Sequence, residues 1–208
     1  MKDFHIYSVG DARVARVQDC ELENFKPIDL LPELSEEQRQ RLERMPETLT
    51  RDGQHVLLSI HTWVIWLGGK TILIDTGAGN DKPRPFAPYF DRIKTPYLER
   101  LRSVGVSPEA VDYVLHTHLH VDHVGWNTSL VDGIWKPTFP NARHIFSAKE
   151  YAYFTEPANH TDRNRTSFQT VADSVTPVIE AGLADMIVIK GTEAIPGFTF
   201  HSTPGAYG

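Results

Sequence analysis

The stretch that decides the fold is HTHLHVDH, residues 116–123. Four of the chain's ten histidines fall within it, and Asp122 stands among them. The apolar run AVDYVL (110–115) leads straight into it and reads as a buried strand. A strand that ends in His-x-His turns alternate side chains to one face, so His118 and His120 are expected to converge on one ion while Leu119 points away. Gly125 permits a sharp change of direction, which brings Asp122 and His123 to a neighbouring position and makes room for a second ion. Imidazole with carboxylate suits a borderline divalent ion such as zinc; iron and manganese are chemically compatible too. The remaining histidines, His5, His55, His61, His144, His160 and His201, read as ordinary surface or hydrogen-bonded residues.

Working outward, HVLLSIHTWVIWL (55–67) and TILIDTG (71–77) flank a turn at Gly68, Gly69 and Lys70 and predict a hairpin. Residues 4–9 and 13–17 read as two short strands around Gly10 and Asp11. Residues 24–54, with Pro27, Pro32 and Pro46, read as a surface excursion; Ser35 followed by Gln38 is a capping-box pattern that opens one short helix there. A helix is expected from about Pro96 to Val104, stopped by Gly105 and Pro108. Further strands are expected at ARHIFS, MIVIK and FTFHS, with helical stretches at about 147–154 and 166–181. This alternation predicts a layered α+β fold, and 208 residues that are 40% hydrophobic suit one domain, 1–208.

HTHLHVDHVGWN (116–127) resembles the metal-binding signature of the metallo-β-lactamase superfamily, and ILIDTG upstream resembles that family's strand and turn ending in an aspartate. The stretch GWNTSLVDGIWKPTFPNARHIFSAKEYAYF is similar to the branch that holds methyl parathion hydrolases and quorum-quenching lactonases. The resemblance spans about residues 55–205 and implies an αββα sandwich. It implies that His118 and His120 hold a first metal and that Asp122 and His123 hold a second, with Asp122 the catalytic candidate. Asp75 would support a ligand histidine, and His116 would stand behind the ligands or serve the structure alone. Two zinc ions per site are implied, with iron or manganese as substitutes. A hydroxide bridging the metals attacks a carbonyl or phosphoryl centre in such proteins, which implies a small-molecule ester, lactone or phosphotriester as substrate. Redox di-iron relatives carry a glutamate where His120 stands, so the pattern favours hydrolysis.

The resemblance breaks at FHSTPGAYG (200–208). The family's Thr-Pro-Gly-His motif supplies a further ligand histidine, and Ala206 occupies that position. The later bridging aspartate and last histidine have no counterpart before Gly208. Codons for Ala-Tyr-Gly, read one base later, can encode His-Thr, so a frameshifted or truncated copy of a longer hydrolase is expected, with the second half of the sandwich incomplete. The alternative to a working hydrolase is then an inactive remnant with weak metal binding or none. Loss of most of a second sheet would expose apolar faces and strand edges, so self-association into a homo-oligomer is expected.

A net charge of −6 offers no basic field for a phosphate backbone or an anionic membrane surface, so neither nucleic acid nor membrane is expected as a partner. No apolar run reaches the length of a membrane span or a signal peptide, and a soluble, cytoplasmic protein is expected. A serine or cysteine hydrolase has no support: there is no Gly-x-Ser-x-Gly, and the single cysteine, Cys20, lies in the acidic context DCELE, which disfavours a thiolate. Trp63, Trp66, Phe86, Tyr89, Phe90 and Trp126 are candidates for lining an apolar pocket. Trp126, beside the signature, is the one selected.

Overall fold

The computed structural model describes residues 5–45, 48–162, 164–191 and 193–203. Four strands form an antiparallel meander: β1 (Ile6–Val9), β2 (Ala12–Phe25), β3 (Val56–Leu67) and β4 (Lys70–Ile74). Three more, β5 (Tyr113–Leu115), β8 (Arg143–Ser147) and β9 (Ala184–Ile187), add in parallel to give a seven-stranded sheet in the order β1-β2-β3-β4-β5-β8-β9. A separate hairpin of β6 (Thr128–Val131) and β7 (Ile134–Pro137) precedes β8, and a second, β10 (Glu193–Ile195) with β11 (Phe198–Thr199), follows β9. Between β2 and β3 lie the short helices α1 (Pro27–Leu30) and α2 (Glu36–Glu43). The expected capping box of α2 is present: Gln38 N–H donates to Ser35 Oγ (3.3 Å), and Ser35 N–H donates to Gln38 Oε1 (2.8 Å). Helix α3 (Tyr97–Ser103) precedes β5, and α4 (Ala148–Thr155) follows β8. Then α5 (Arg165–Thr170), a π turn (Val171–Val175) and α6 (Thr176–Glu180) form one continuous helical stretch.

The parallel strands are apolar on both faces because both are covered. Leu73 and Val114 join Ala15, Val17 and Val64 in a core closed by Tyr97 and Leu101 of α3. On the opposite face, Ile72, Leu115 and Ile145 pack against Ile195, Phe198 and Phe200 from the β10–β11 region. Phe146 meets Phe154 of α4 and Val171, Val175 and Val178 of the long helical stretch.

Several boundaries differ from the sequence reading. Strand β2 runs on to Phe25 because Asp19, polar and so unpromising in a strand, is fully sheltered and bonded there, and bulges near Cys20 and before Phe25 keep the register with β3. The β6–β7 hairpin was not expected, although Asp132-Gly133, both at positive φ, are the residues of a tight two-residue turn. Strand β9 covers 184–187 rather than 186–190, the only part that faces β8. Of FTFHS, two residues are strand. Ala206 and the end of the STPG motif lie outside the described residues.

One buried ion cluster fixes the long helical stretch. Pro177 has no N–H to offer the Asp173 carbonyl four residues back. That carbonyl accepts instead from Lys82 Nζ (3.1 Å) and Thr128 Oγ1 (2.5 Å). The Asp173 carboxylate takes both terminal nitrogens of Arg84 (2.6 and 2.8 Å), and Lys82 also lies 3.7 Å from the Trp135 ring centre. The loop after β4 is thereby tied to the helices beyond β8.

Candidate metal centre

Two loops make the site, and the sheet decides where they start. β4 and β5 are parallel neighbours, so both chains leave the sheet side by side at their carboxyl ends. The ladder continues one residue further: Asp75 N–H donates to the Leu115 carbonyl (2.9 Å) and His116 N–H to the Ile145 carbonyl (3.2 Å). Asp75 then turns at φ 56°, a conformation that aspartate tolerates better than most residues. The loops zip together through Thr76 N–H to the His123 carbonyl (2.7 Å), Gly125 N–H to the Gly77 carbonyl (2.7 Å) and Trp126 N–H to the Thr76 carbonyl (2.9 Å). No side chain fits where they touch, since a Cβ on Gly125 would overlap the Ala78 carbonyl group.

The histidines converge by a different route from the one expected. β5 ends at Leu115, so strand alternation does not reach His118 and His120. Instead Leu119 and Val124, both fully buried, sink into the cluster around Phe146 and Phe154. Leu119 N–H donates to Glu150 Oε2 (3.2 Å). Val121 lies against the cluster that contains Leu22, Ile60 and Phe90. Between these anchors His118, His120, Asp122 and His123 are half-buried. The ring centres of His118 and His120 are 4.5 Å apart, those of His118 and His123 are 3.9 Å apart, and Asp122 Oδ2 is 3.4 Å from His123 Nε2.

Asp75 organises this group. Its Oδ1 accepts from Thr117 N–H (2.9 Å), and its Oδ2 accepts from the Thr117 hydroxyl (2.7 Å) and from His123 Nδ1 (2.8 Å). Asp75 thus bonds one histidine of the cluster, His123, directly. Burial first, then the neighbouring His123 and His120, pushes His118 down to about 4, and burial also lowers His120, so the surroundings favour the neutral imidazole at both. Burial opposes charge on His123 as well, but hydrogen bonds to Asp122 and Asp75 push it up to about 10. Burial works against the Asp75 and Asp122 carboxylates too, yet their bonds to His123 hold both below the usual range.

Two neutral imidazoles, a carboxylate and a third imidazole fixed through Nδ1 are donors of the kind a borderline divalent ion takes. Among the described residues, no group of three His, Cys, Asp or Glu side chains is disposed to hold a single ion. The donor chemistry is of a kind that fits a divalent metal.

The other selected residues do different work. His116 is buried, stacked on Phe146 (4.7 Å, 6°) and on His144 (5.8 Å, 17°). Trp126, selected for a substrate pocket, is instead a core residue at 5% exposure, stacked on Tyr97 (5.1 Å), with Nε1 donating to Asp19 Oδ1 (3.1 Å). Its indole faces inward because the zipped loops turn the residue after Gly125 toward α3. Burial first, then the charges of Asp19 and Asp122, pushes Cys20 up to about 12, so it stays a thiol. The sequence reading missed Asp19 and Thr117. Asp19 Oδ2 accepts from Ala78 N–H (2.8 Å) and Oδ1 from Thr95 (2.5 Å), which holds the loop after Asp75 to β2. The signal for Thr117 was its place inside the motif, a hydroxyl between two candidate ligands.

The sequence model of the Metallo-beta-lactamase superfamily matches residues 56–208. The chain belongs to this superfamily. Curated relatives include the Beta-lactamase-like protein 2 homolog of Caenorhabditis elegans, 30% identical over 99 residues, which are 45% of this chain and 29% of that protein. Another is the N-acyl homoserine lactonase AttM of Azorhizobium caulinodans, 38% identical over 60 residues, 29% of this chain and 19% of the relative. The matches thus span less than a third of either relative's length. Among solved structures, the hydrolase AbOPH of the beta lactamase superfamily superposes with a TM-score of 0.69 at 24% identity, over 94% of this chain and 64% of that one. A probable metal-dependent hydrolase from Staphylococcus aureus gives 0.71 at 19% identity, over 92% and 64%. AidC, a dizinc quorum-quenching lactonase, gives 0.63 at 18% identity, over 92% and 63%. These likenesses establish the metallo-β-lactamase fold for the seven-stranded sheet and its helices.

Proposed function

We propose that this metallo-β-lactamase superfamily member is a metal-dependent hydrolase of small-molecule esters, lactones or phosphotriesters. The observation that carries the reading is the meeting of two neutral imidazoles, His118 and His120, with the Asp122–His123 pair under the control of Asp75. His118 and His120 would hold one divalent ion, Asp122 and His123 the other, and zinc is the metal we favour. Bound there, such ions supply Lewis acidity and a water acidified into the neutral range. Asp75 keeps the His123 Nδ1 proton, which directs Nε2 toward the ligand side. Asp122, the catalytic candidate, presents its carboxylate beside that Nε2. Val121 of the same loop packs on the apolar cluster of Leu22 and Ile60, and Phe25, Leu58 and Tyr89, partly buried at its edge, are the candidates for meeting the acyl or aryl part of a substrate. The lactonase relatives support the lactone within this class.

The test is turnover of a lactone, an aryl ester and a phosphotriester by zinc-loaded protein. Zinc-dependent hydrolysis of at least one, abolished by a chelator and restored by zinc, is expected; turnover unchanged by chelation overturns the reading. A second reading, a chain that binds metal weakly or not at all, draws on the lack of three converging donors among the described residues. Dialysed protein that retains no zinc and hydrolyses nothing would favour it.

A further inference from the structure

Thr117 stands between the carboxylate of Asp75 and two histidines of the cluster. Its Oγ1 lies 2.7 Å from Asp75 Oδ2, 3.0 Å from His118 Nδ1 and 3.4 Å from His123 Nδ1. A carboxylate oxygen only accepts, so the single hydroxyl proton of Thr117 is committed to Asp75. The lone pairs of Oγ1 are then what His118 Nδ1 meets, and the contact is a hydrogen bond only if Nδ1 carries the ring proton. A neutral imidazole has one N–H, so Nε2 keeps its lone pair.

We propose that Thr117 is a positioning residue: the chain Asp75–Thr117–His118 fixes His118 as its Nδ1–H tautomer and so readies Nε2 for a divalent metal. Thr117 suits this because the carboxylate holds it at two points, the hydroxyl and the backbone N–H (2.9 Å to Oδ1), which leaves the hydroxyl little freedom to turn elsewhere. The same carboxylate bonds His123 Nδ1 directly at 2.8 Å. One acid thus sets two imidazoles, one by contact and one through a hydroxyl, while the buried neighbour Leu119 keeps the loop from swinging the His118 ring away. The inference rests on the metal reading of the site, but the tautomer itself is a property of the metal-free protein.

Nitrogen-15 NMR of the histidine rings in the metal-free full chain reads the tautomer, and competition with a chelator reads the zinc affinity. His118 is expected to carry its proton on Nδ1. Thr117→Val keeps the shape and removes the hydroxyl; it is expected to move the His118 proton toward Nε2 and to weaken zinc binding about 10–100-fold. Thr117→Ser is expected to restore both. A His118 proton on Nε2 in the unsubstituted chain overturns the proposal without any variant, and so does a Thr117→Val protein with unchanged tautomer and zinc affinity. An Nδ1–H tautomer in a chain that takes up no zinc upholds the relay and overturns the metal reading instead.

Discussion

Asp75 accepts three hydrogen bonds from two residues that lie beyond the neighbouring strand, and it does so from a left-handed turn. Asp75→Ala removes all three hydrogen bonds at once, so zinc affinity should fall by about 10–100-fold, measured by chelator competition. His144 gives a pH prediction of its own. It is buried beside Phe139 and Phe146, and burial, then His116 across the ring stack and Arg143 next along β8, hold its pKa well below the ordinary 6.5. The unfolded chain therefore binds the proton first, and stability is lost as pH falls below about 6.5, with a slope approaching about 1.4 kcal/mol per pH unit for this group. Denaturant melts at pH 5 and pH 7 should differ less for His144→Phe than for the unsubstituted chain; equal differences would contradict this. At this scale the histidine cluster was legible because four imidazoles in eight residues have few other uses. The inward face of Trp126 was not, because an aromatic residue beside a signature does not say which way its loop turns, and Asp19 looked like a surface acid.

Among the elements, the zipper of the two loops matters most, since it sets where the clustered histidines and Asp122 stand. Gly125→Ala would force the loops apart at the Ala78 carbonyl and should cost about 1–3 kcal/mol of stability, read by urea unfolding. The buried cluster of Lys82, Arg84 and Asp173 makes a larger prediction. Asp173→Ala leaves the fully buried Arg84 guanidinium and Lys82 amine without their carboxylate and should cost about 3–5 kcal/mol in the same measurement. The β3–β4 hairpin, α2 with its capping box, and α3 were legible because each carries a local chemical signal. The full length of β2, the π turn and the helix-to-loop ion cluster were not, because each depends on partners far away in sequence: Asp19 on residues 78, 79, 95 and 126, and Asp173 on residues 82, 84 and 128.

For the whole molecule, the α+β class followed from the order of apolar strands and amphipathic helices, and the superfamily followed from one motif in its place after a strand. Both faces of the parallel strands are covered, by α3 and the long helical stretch on one side and by the β10–β11 region on the other. No helix among the described residues is long and apolar enough to cross a membrane. Ala206, which stands where the resemblance implies a further ligand histidine, lies outside the described residues. Metal binding by the HTHLHVDH loop is read by zinc content after loading and dialysis, by elemental analysis, of the chain and of a His118→Ala/His120→Ala variant. The chain should retain about two ions and the variant about one or none; no retained zinc in the chain, or the same content in both, would contradict the claim.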